Sequence, residues 1–107
     1  MEVIICSDEQ AVGRIAADRI AKVLGRAKAP VLGVATGSTP LTTYSSLAAL
    51  AAEGKADFTD LRAFALDEYI GLPADDERSY ASTIRHTVTE QLGLDPANEH
   101  TPDGVAE

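Results

Sequence analysis

Val31-Leu32-Gly33-Val34-Ala35-Thr36-Gly37-Ser38-Thr39-Pro40 is the stretch on which the reading of this chain depends. Its first half is a short, continuous apolar run, as expected of a strand buried on both faces, and Ala29-Pro30 in front of it breaks any helical pattern. Its second half is a turn. Gly37 lets the backbone come close to a ligand, Ser38 and Thr39 bring hydroxyls, and Thr39 and Pro40 suit the cap and first position of a helix. A strand that passes through a glycine turn into a helix start offers an anion the N–H groups that the helix leaves unpaired. The lysine of a P-loop is missing, however, and Gly-Ser-Thr-Pro read alone is more often a capped connector than a binding site.

The same alternation extends in both directions. Upstream, Val3-Ile4-Ile5-Cys6 reads as a first buried strand, and Ser7 with Gln10 reads as a capping box. The helix it opens is predicted over residues 8 to 26, with Val12, Ile15, Ala16, Ile20, Val23 and Leu24 recurring at steps of three and four. Downstream, Leu41, Tyr44, Leu47, Leu50 and Ala51 share one helical face, and Gly54 supplies the stop. Arg62-Ala63-Phe64-Ala65-Leu66 is the next strand and ends on Asp67-Glu68-Tyr69. A last helix follows, capped by Ser79, carrying Tyr80, Ile84, Val88 and Leu92, and closed by Gly93. From Asp95 onward there are two prolines and no clear period.

Strand and helix, three times over, predict an α/β fold built on a parallel sheet with right-handed crossovers. Three strands and three helices leave an edge and part of a face bare. Residues 1–107 are therefore expected to be a piece of something larger.

Composition narrows the function. Seventeen acidic against nine basic residues give a formal charge of -8, which opposes a nucleic-acid backbone but leaves room for a small anion held by backbone N–H groups. Aromatic residues are 5% of the chain and tryptophan is absent, which suits a core of Ala, Val, Ile and Leu between helices and parallel strands. Cys6 is alone, so neither an internal disulfide nor a cysteine metal cluster is expected, and a reducing cytoplasm fits. Neither a signal-peptide pattern nor an apolar run long enough for a membrane span is seen, so no membrane partner is expected.

Chemistry has two places to sit, because ligands of open parallel sheets bind beyond the carboxyl ends of the strands. One is the turn Thr36, Gly37, Ser38 and Thr39; the other is Asp67. If their strands are neighbours, one sugar phosphate can touch both. Asp67 is the candidate base, provided burial raises its proton affinity; the plainer alternative is a solvated acid in an acidic loop. Glu68 is expected to orient that loop rather than to react. Tyr69 and Tyr80 flank it, as cover for a ligand or as half-buried packing. His86 and His100 have no carboxylates or cysteines at metal-ligand spacing and read as surface or packing residues.

Ala35-Thr36-Gly37-Ser38-Thr39-Pro40, then Leu66-Asp67-Glu68-Tyr69-Ile70-Gly71-Leu72-Pro73, then Ser79-Tyr80, resemble the glucosamine-6-phosphate deaminase family in order and spacing. The likeness runs from the first predicted strand to about Asn98. It implies a three-layer α/β/α fold on a mostly parallel sheet, of which residues 1–107 carry only the first three strand-helix units, the amino-terminal portion of a single domain. The resemblance implies an aldose-ketose isomerisation coupled to deamination, converting glucosamine 6-phosphate and water to fructose 6-phosphate and ammonia without cofactor or metal. It implies that Asp67 moves the proton between C2 and C1 and that Gly37, Ser38 and Thr39 hold the phosphate. Relatives sharing the fold, a galactosamine-6-phosphate isomerase or a 6-phosphogluconolactonase, are the enzymatic alternatives, and a non-catalytic phosphosugar-binding module is the third.

Two departures accompany the resemblance. Ser38 stands where many members have a second glycine, which keeps the backbone donors and adds a hydroxyl. Members are also roughly twice this long, and the Asp-x-His pair, the glutamate for ring opening and the basic residues of their second half have no counterpart here. The expectation is an enzyme in the longer parent, open to homo-oligomerisation, and near-inactivity in this piece alone.

Overall fold

A computed structural model describes residues 1–106. Helix α1, Glu9–Arg26, leads to strand β1, Val31–Val34; helix α2, Leu41–Ala52, leads to strand β2, Arg62–Ala65. Helix α3 covers residues 80–92, with a π turn at Arg85–Thr89 between two α segments, and is followed by a short 3-10 turn, Pro96–Asn98, and strand β3, Glu99–His100. The three strands lie in the order β1-β2-β3 and every pair is parallel. The parallel α/β architecture expected from the sequence is present.

One expected strand is not formed, and one unexpected strand is. Val3-Ile4-Ile5-Cys6 has the composition of a strand but no ladder partner among the described residues, and Ile5 is left 94% exposed. A β-branched run is a strand only where another strand answers its backbone. The third strand comes instead from the patternless tail: Glu99 and His100 pair with Ala63 and Phe64. Two residues are too few to display a period, and β2 alone places them.

The cap of α1 also moves by one residue from the predicted Ser7. Asp8 is extended and its carboxylate accepts the Ala11 N–H at 2.8 Å. Both residue types are strong caps, so sequence alone separates them poorly. At α2 the predicted Thr39 cap makes no side-chain bond; Pro40 occupies the cap position and its carbonyl accepts the Tyr44 N–H at 3.0 Å. Gly54, with φ 74°, ends α2 as predicted. The N–H of Gly54 reaches the Ala51 carbonyl and that of Lys55 the Leu50 carbonyl, the paired closure that a left-handed residue permits.

Register decides which face is covered. Leu32 lies opposite Ala63, and Val34 opposite Ala65. These four side chains join one core with Ala17 of α1, Tyr44 and Leu47 of α2, and Ile84, Val88 and Leu92 of α3. The alternate residues Val31 and Phe64 are exposed on the other face, where Phe64 stacks on His100 with ring centroids 4.6 Å apart. The described residues therefore supply the sheet and one helical layer of the three-layer architecture. Close approach of α1 to α2 requires Gly13, since a Cβ there would lie 2.6 Å from the Thr42 carbonyl carbon. Glu99, on the covered side, accepts from Thr89 Oγ1 at 2.6 Å and Arg85 Nη2 at 3.2 Å, which binds β3 to the π turn of α3.

Candidate active site

Strands β1 and β2 are neighbours, as a shared site needs, and they finish level: Val34 lies opposite Ala65. Thr36 and Asp67 each stand two residues further on, so the two chain exits are about 5 Å apart. This register brings the predicted turn and the predicted acid to one rim of the sheet.

The turn is held from below. Ala35, just before Thr36, has its N–H and its carbonyl both bonded to the Tyr44 hydroxyl, each at 2.9 Å. Burial pushes the Tyr44 hydroxyl above its ordinary pKa, with the Ala35 N–H working the other way, so it stays a neutral donor and acceptor. Sequence reading placed Tyr44 on the apolar face of α2 and missed this role. Gly37 then takes φ 94°, a left-handed value that side chains avoid, and the Ser38 carbonyl accepts the Leu41 N–H at 3.3 Å. Gly37, Ser38 and Thr39 are exposed and Thr36 is half-buried.

Ser38, Thr39 and Thr42 also border a hollow of about 260 Å³ whose far side is Glu9 and Val12 of α1. A carboxylate in its lining makes that hollow a poor host for a phosphate. The opposite flank of the turn, toward Asp67, is the better one. No Lys or Arg occurs in the sequence between Lys28 and Lys55, so the turn's only contribution to an anion is its N–H groups and hydroxyls.

The second exit is organised around Glu68. Its carboxylate accepts the N–H groups of Tyr69 at 2.8 Å, Tyr80 at 2.9 Å and Ala81 at 3.0 Å. Burial opposes that charge, but the three N–H bonds outweigh it and hold the carboxyl below its ordinary pKa. Two of those donors belong to the first turn of α3, where negative charge is favoured, and Ser79 caps the same helix by accepting the Ser82 N–H at 3.1 Å. The expected role of Glu68 in orienting the loop is what these bonds perform.

Beside it, the rings of Tyr69 and Tyr80 meet at 4.5 Å. The Tyr69 hydroxyl pushes the Tyr80 hydroxyl above its ordinary pKa; burial and the Asp67 charge add to this, while the Thr36 hydroxyl opposes it. Tyr80 thus lies within reach of Thr36, Asp67 and Tyr69 at the sheet rim. Asp67 itself is exposed, so the described residues do not supply the burial expected of a base at this position.

The tail adds a contact that the sequence did not announce. Gly71, at φ 93°, donates its N–H to the Gly104 carbonyl at 2.7 Å, and a Cβ on Gly104 would collide with the carbonyl oxygens of Tyr69 and Leu72. Residues after β3 thereby brace the acidic loop from outside. His86 is exposed and meets Glu90 at 3.2 Å, while His100 lies on Phe64, so neither reaches the site. Among the described residues, no three His, Cys, Asp or Glu side chains are placed to hold a metal ion.

No protein-family model matches the chain. Among individual proteins, a glucosamine-6-phosphate deaminase from Cutibacterium acnes is 96% identical across all 107 residues, which make up 41% of that relative. The chain matches the amino-terminal part of glucosamine-6-phosphate deaminases. The solved structure of a monomeric glucosamine-6-phosphate deaminase superposes over 100% of the chain, at 32% identity and a TM-score of 0.93, and the overlap is 44% of that structure. A 6-phosphogluconolactonase from Thermotoga maritima superposes over 99% of the chain and 46% of its own length at 20% identity and a TM-score of 0.73, a likeness of fold. The chain spans about two fifths of the curated deaminases it matches.

Proposed function

We propose that the full-length protein carrying this chain is a glucosamine-6-phosphate deaminase. The reaction is isomerisation of the open-chain amino sugar with loss of its amine, so that glucosamine 6-phosphate and water give fructose 6-phosphate and ammonia. In this reading the N–H groups and hydroxyls of Thr36, Gly37, Ser38 and Thr39 hold the phosphate, and Asp67 carries the proton between C2 and C1. The observation that supports it most is the 96% identity to a glucosamine-6-phosphate deaminase over all 107 residues, a span that includes both strand exits.

The geometry supports the same division of labour. An anion at the turn gains from unpaired N–H groups without any cation nearby. A carboxylate one strand away can reach carbon atoms of the same small molecule. The exposed Asp67 needs a covering wall to exclude water, and groups to open the ring and neutralise the phosphate must come from beyond residue 107. This chain alone is accordingly close to inactive. The parent is read as a cytoplasmic enzyme of amino-sugar catabolism, such as breakdown of N-acetylglucosamine, acting as one chain or a homo-oligomer.

The test is ammonia release from glucosamine 6-phosphate by the full-length protein, with galactosamine 6-phosphate and 6-phosphogluconolactone as competitors for the assignment. Rapid turnover of the first and little of the others is expected. Lactone hydrolysis without ammonia release would remove the deaminase reading.

A further inference from the structure

Tyr44 is nine residues from Ala35, yet its hydroxyl occupies both polar groups of that residue. In an extended residue the N–H and C=O point to the same side, so one hydroxyl that donates and accepts can answer both, as a neighbouring strand would. The side chain is 6% exposed and its ring lies in the core with Leu47 and Val34, which leaves the hydroxyl little freedom to move. The N–H of the same residue is bonded to the Pro40 carbonyl. Tyr44 therefore holds both legs of the Thr36–Pro40 loop: the strand leg through its hydroxyl and the helix leg through its backbone.

From this geometry we infer that Tyr44 is the positioning residue of the phosphate turn, fixing the loop that carries the N–H groups of Gly37, Ser38 and Thr39. The inference rests on the reading of that turn as the phosphate grip. The phosphate has no Lys or Arg from this segment to rely on, so its affinity depends on several N–H groups being aimed at once. Loosening Ala35 lets the strand leg shift and spoils that aim without touching the reacting carbon. The effect belongs in substrate affinity and not in the chemical step.

The experiment compares the full-length wild type with Tyr44→Phe, which keeps the ring and loses both bonds, and with Ile84→Val, which weakens the same core from α3. Steady-state kinetics with glucosamine 6-phosphate, competitive inhibition by inorganic phosphate and thermal unfolding are read for each. In Tyr44→Phe, KM and the inhibition constant for phosphate are expected to rise by about tenfold with kcat held within roughly threefold. In Ile84→Val only the melting temperature falls. A lowered melting temperature with unchanged KM and phosphate inhibition in Tyr44→Phe would overturn the inference.

A second measurement needs no variant. Coupling is reciprocal, so if the clamp favours phosphate, bound phosphate must favour the clamp. Amide exchange at Ala35 in the wild type is expected to slow several-fold on saturation with inorganic phosphate, in line with the extra binding free energy. Exchange that is indifferent to bound phosphate would equally overturn the inference. If phosphate binding responds to Tyr44 in these ways but no ammonia is released, the clamp stands and the deaminase reading is the part that fails.

Discussion

The two strand exits solve one problem in different ways. At the end of β1 the backbone is fixed by a buried neutral hydroxyl, that of Tyr44 on Ala35; at the end of β2 it is fixed by a carboxylate, that of Glu68 on the N–H groups of Tyr69, Tyr80 and Ala81. The first fastener is neutral and insensitive to acid, whereas the second loses its charge as pH falls below the ordinary glutamate range. In both, the fastening group sits next to the exposed group that would meet substrate, which leaves Gly37–Thr39 and Asp67 free. The lesson is that rigidity and reactivity are assigned to adjacent residues.

The largest expected effect separates the exits by kinetics. In the full-length protein, Asp67→Asn should lower kcat by about 10²–10⁴-fold, the usual worth of a positioned proton carrier, while KM stays near the wild-type value. Gly37→Ala should act on the other parameter. Its left-handed φ of 94° strains any side chain, at a cost on the order of 1–3 kcal/mol, and the expected result is a rise in KM exceeding the fall in kcat. Steady-state kinetics of both variants would break the comparison if the two effects were exchanged.

Glu68→Ala is the next in size and bears on stability. Loss of a charged cap over the first turn of α3 is expected to cost about 1 kcal/mol. The folded carboxyl titrates below its ordinary 4.5, so the stability it contributes is complete above that pH and disappears as pH falls through the lowered folded value. Melting curves of wild type and variant should therefore differ at pH 7 and converge in acid. A gap that widened below pH 4 would contradict the assignment.

Arg78→Ala should have the smallest effect. Arg78 holds Asp76 through a two-pronged pair and lowers its carboxyl from 3.8 to about 2. By the same sign rule its contribution is present above 3.8 and lost between there and about 2. Arg78 is 76% exposed, so the melting temperature should shift little, and the residual gap should close as pH falls from 3.8 toward about 2.

Much of this arrangement was legible in the sequence, and the parts that were not share a cause. Val31–Val34, Arg62–Ala65 and the helices announce themselves because their apolar period is local. Thr36 and Asp67 could be placed at the carboxyl ends of parallel strands, but their sharing one rim required those strands to be neighbours, which only the register shows. Val3–Cys6 carries the local signature of a strand and lacks the distant half of it. Glu99–His100 carries no signature and receives its place from β2. The Tyr44 clamp and the brace of Gly104 against the acidic loop are likewise contacts across the fold, between residues whose spacing follows no period.

The most direct test of the shared rim is a crystal structure of full-length Asp67→Asn trapped with glucosamine 6-phosphate. The account predicts the phosphate within hydrogen-bond distance of the N–H groups of Gly37, Ser38 and Thr39, with C2 of the sugar facing residue 67. A sugar phosphate bound away from the turn, or seated in the hollow beside Glu9 with C2 out of reach of residue 67, would contradict it.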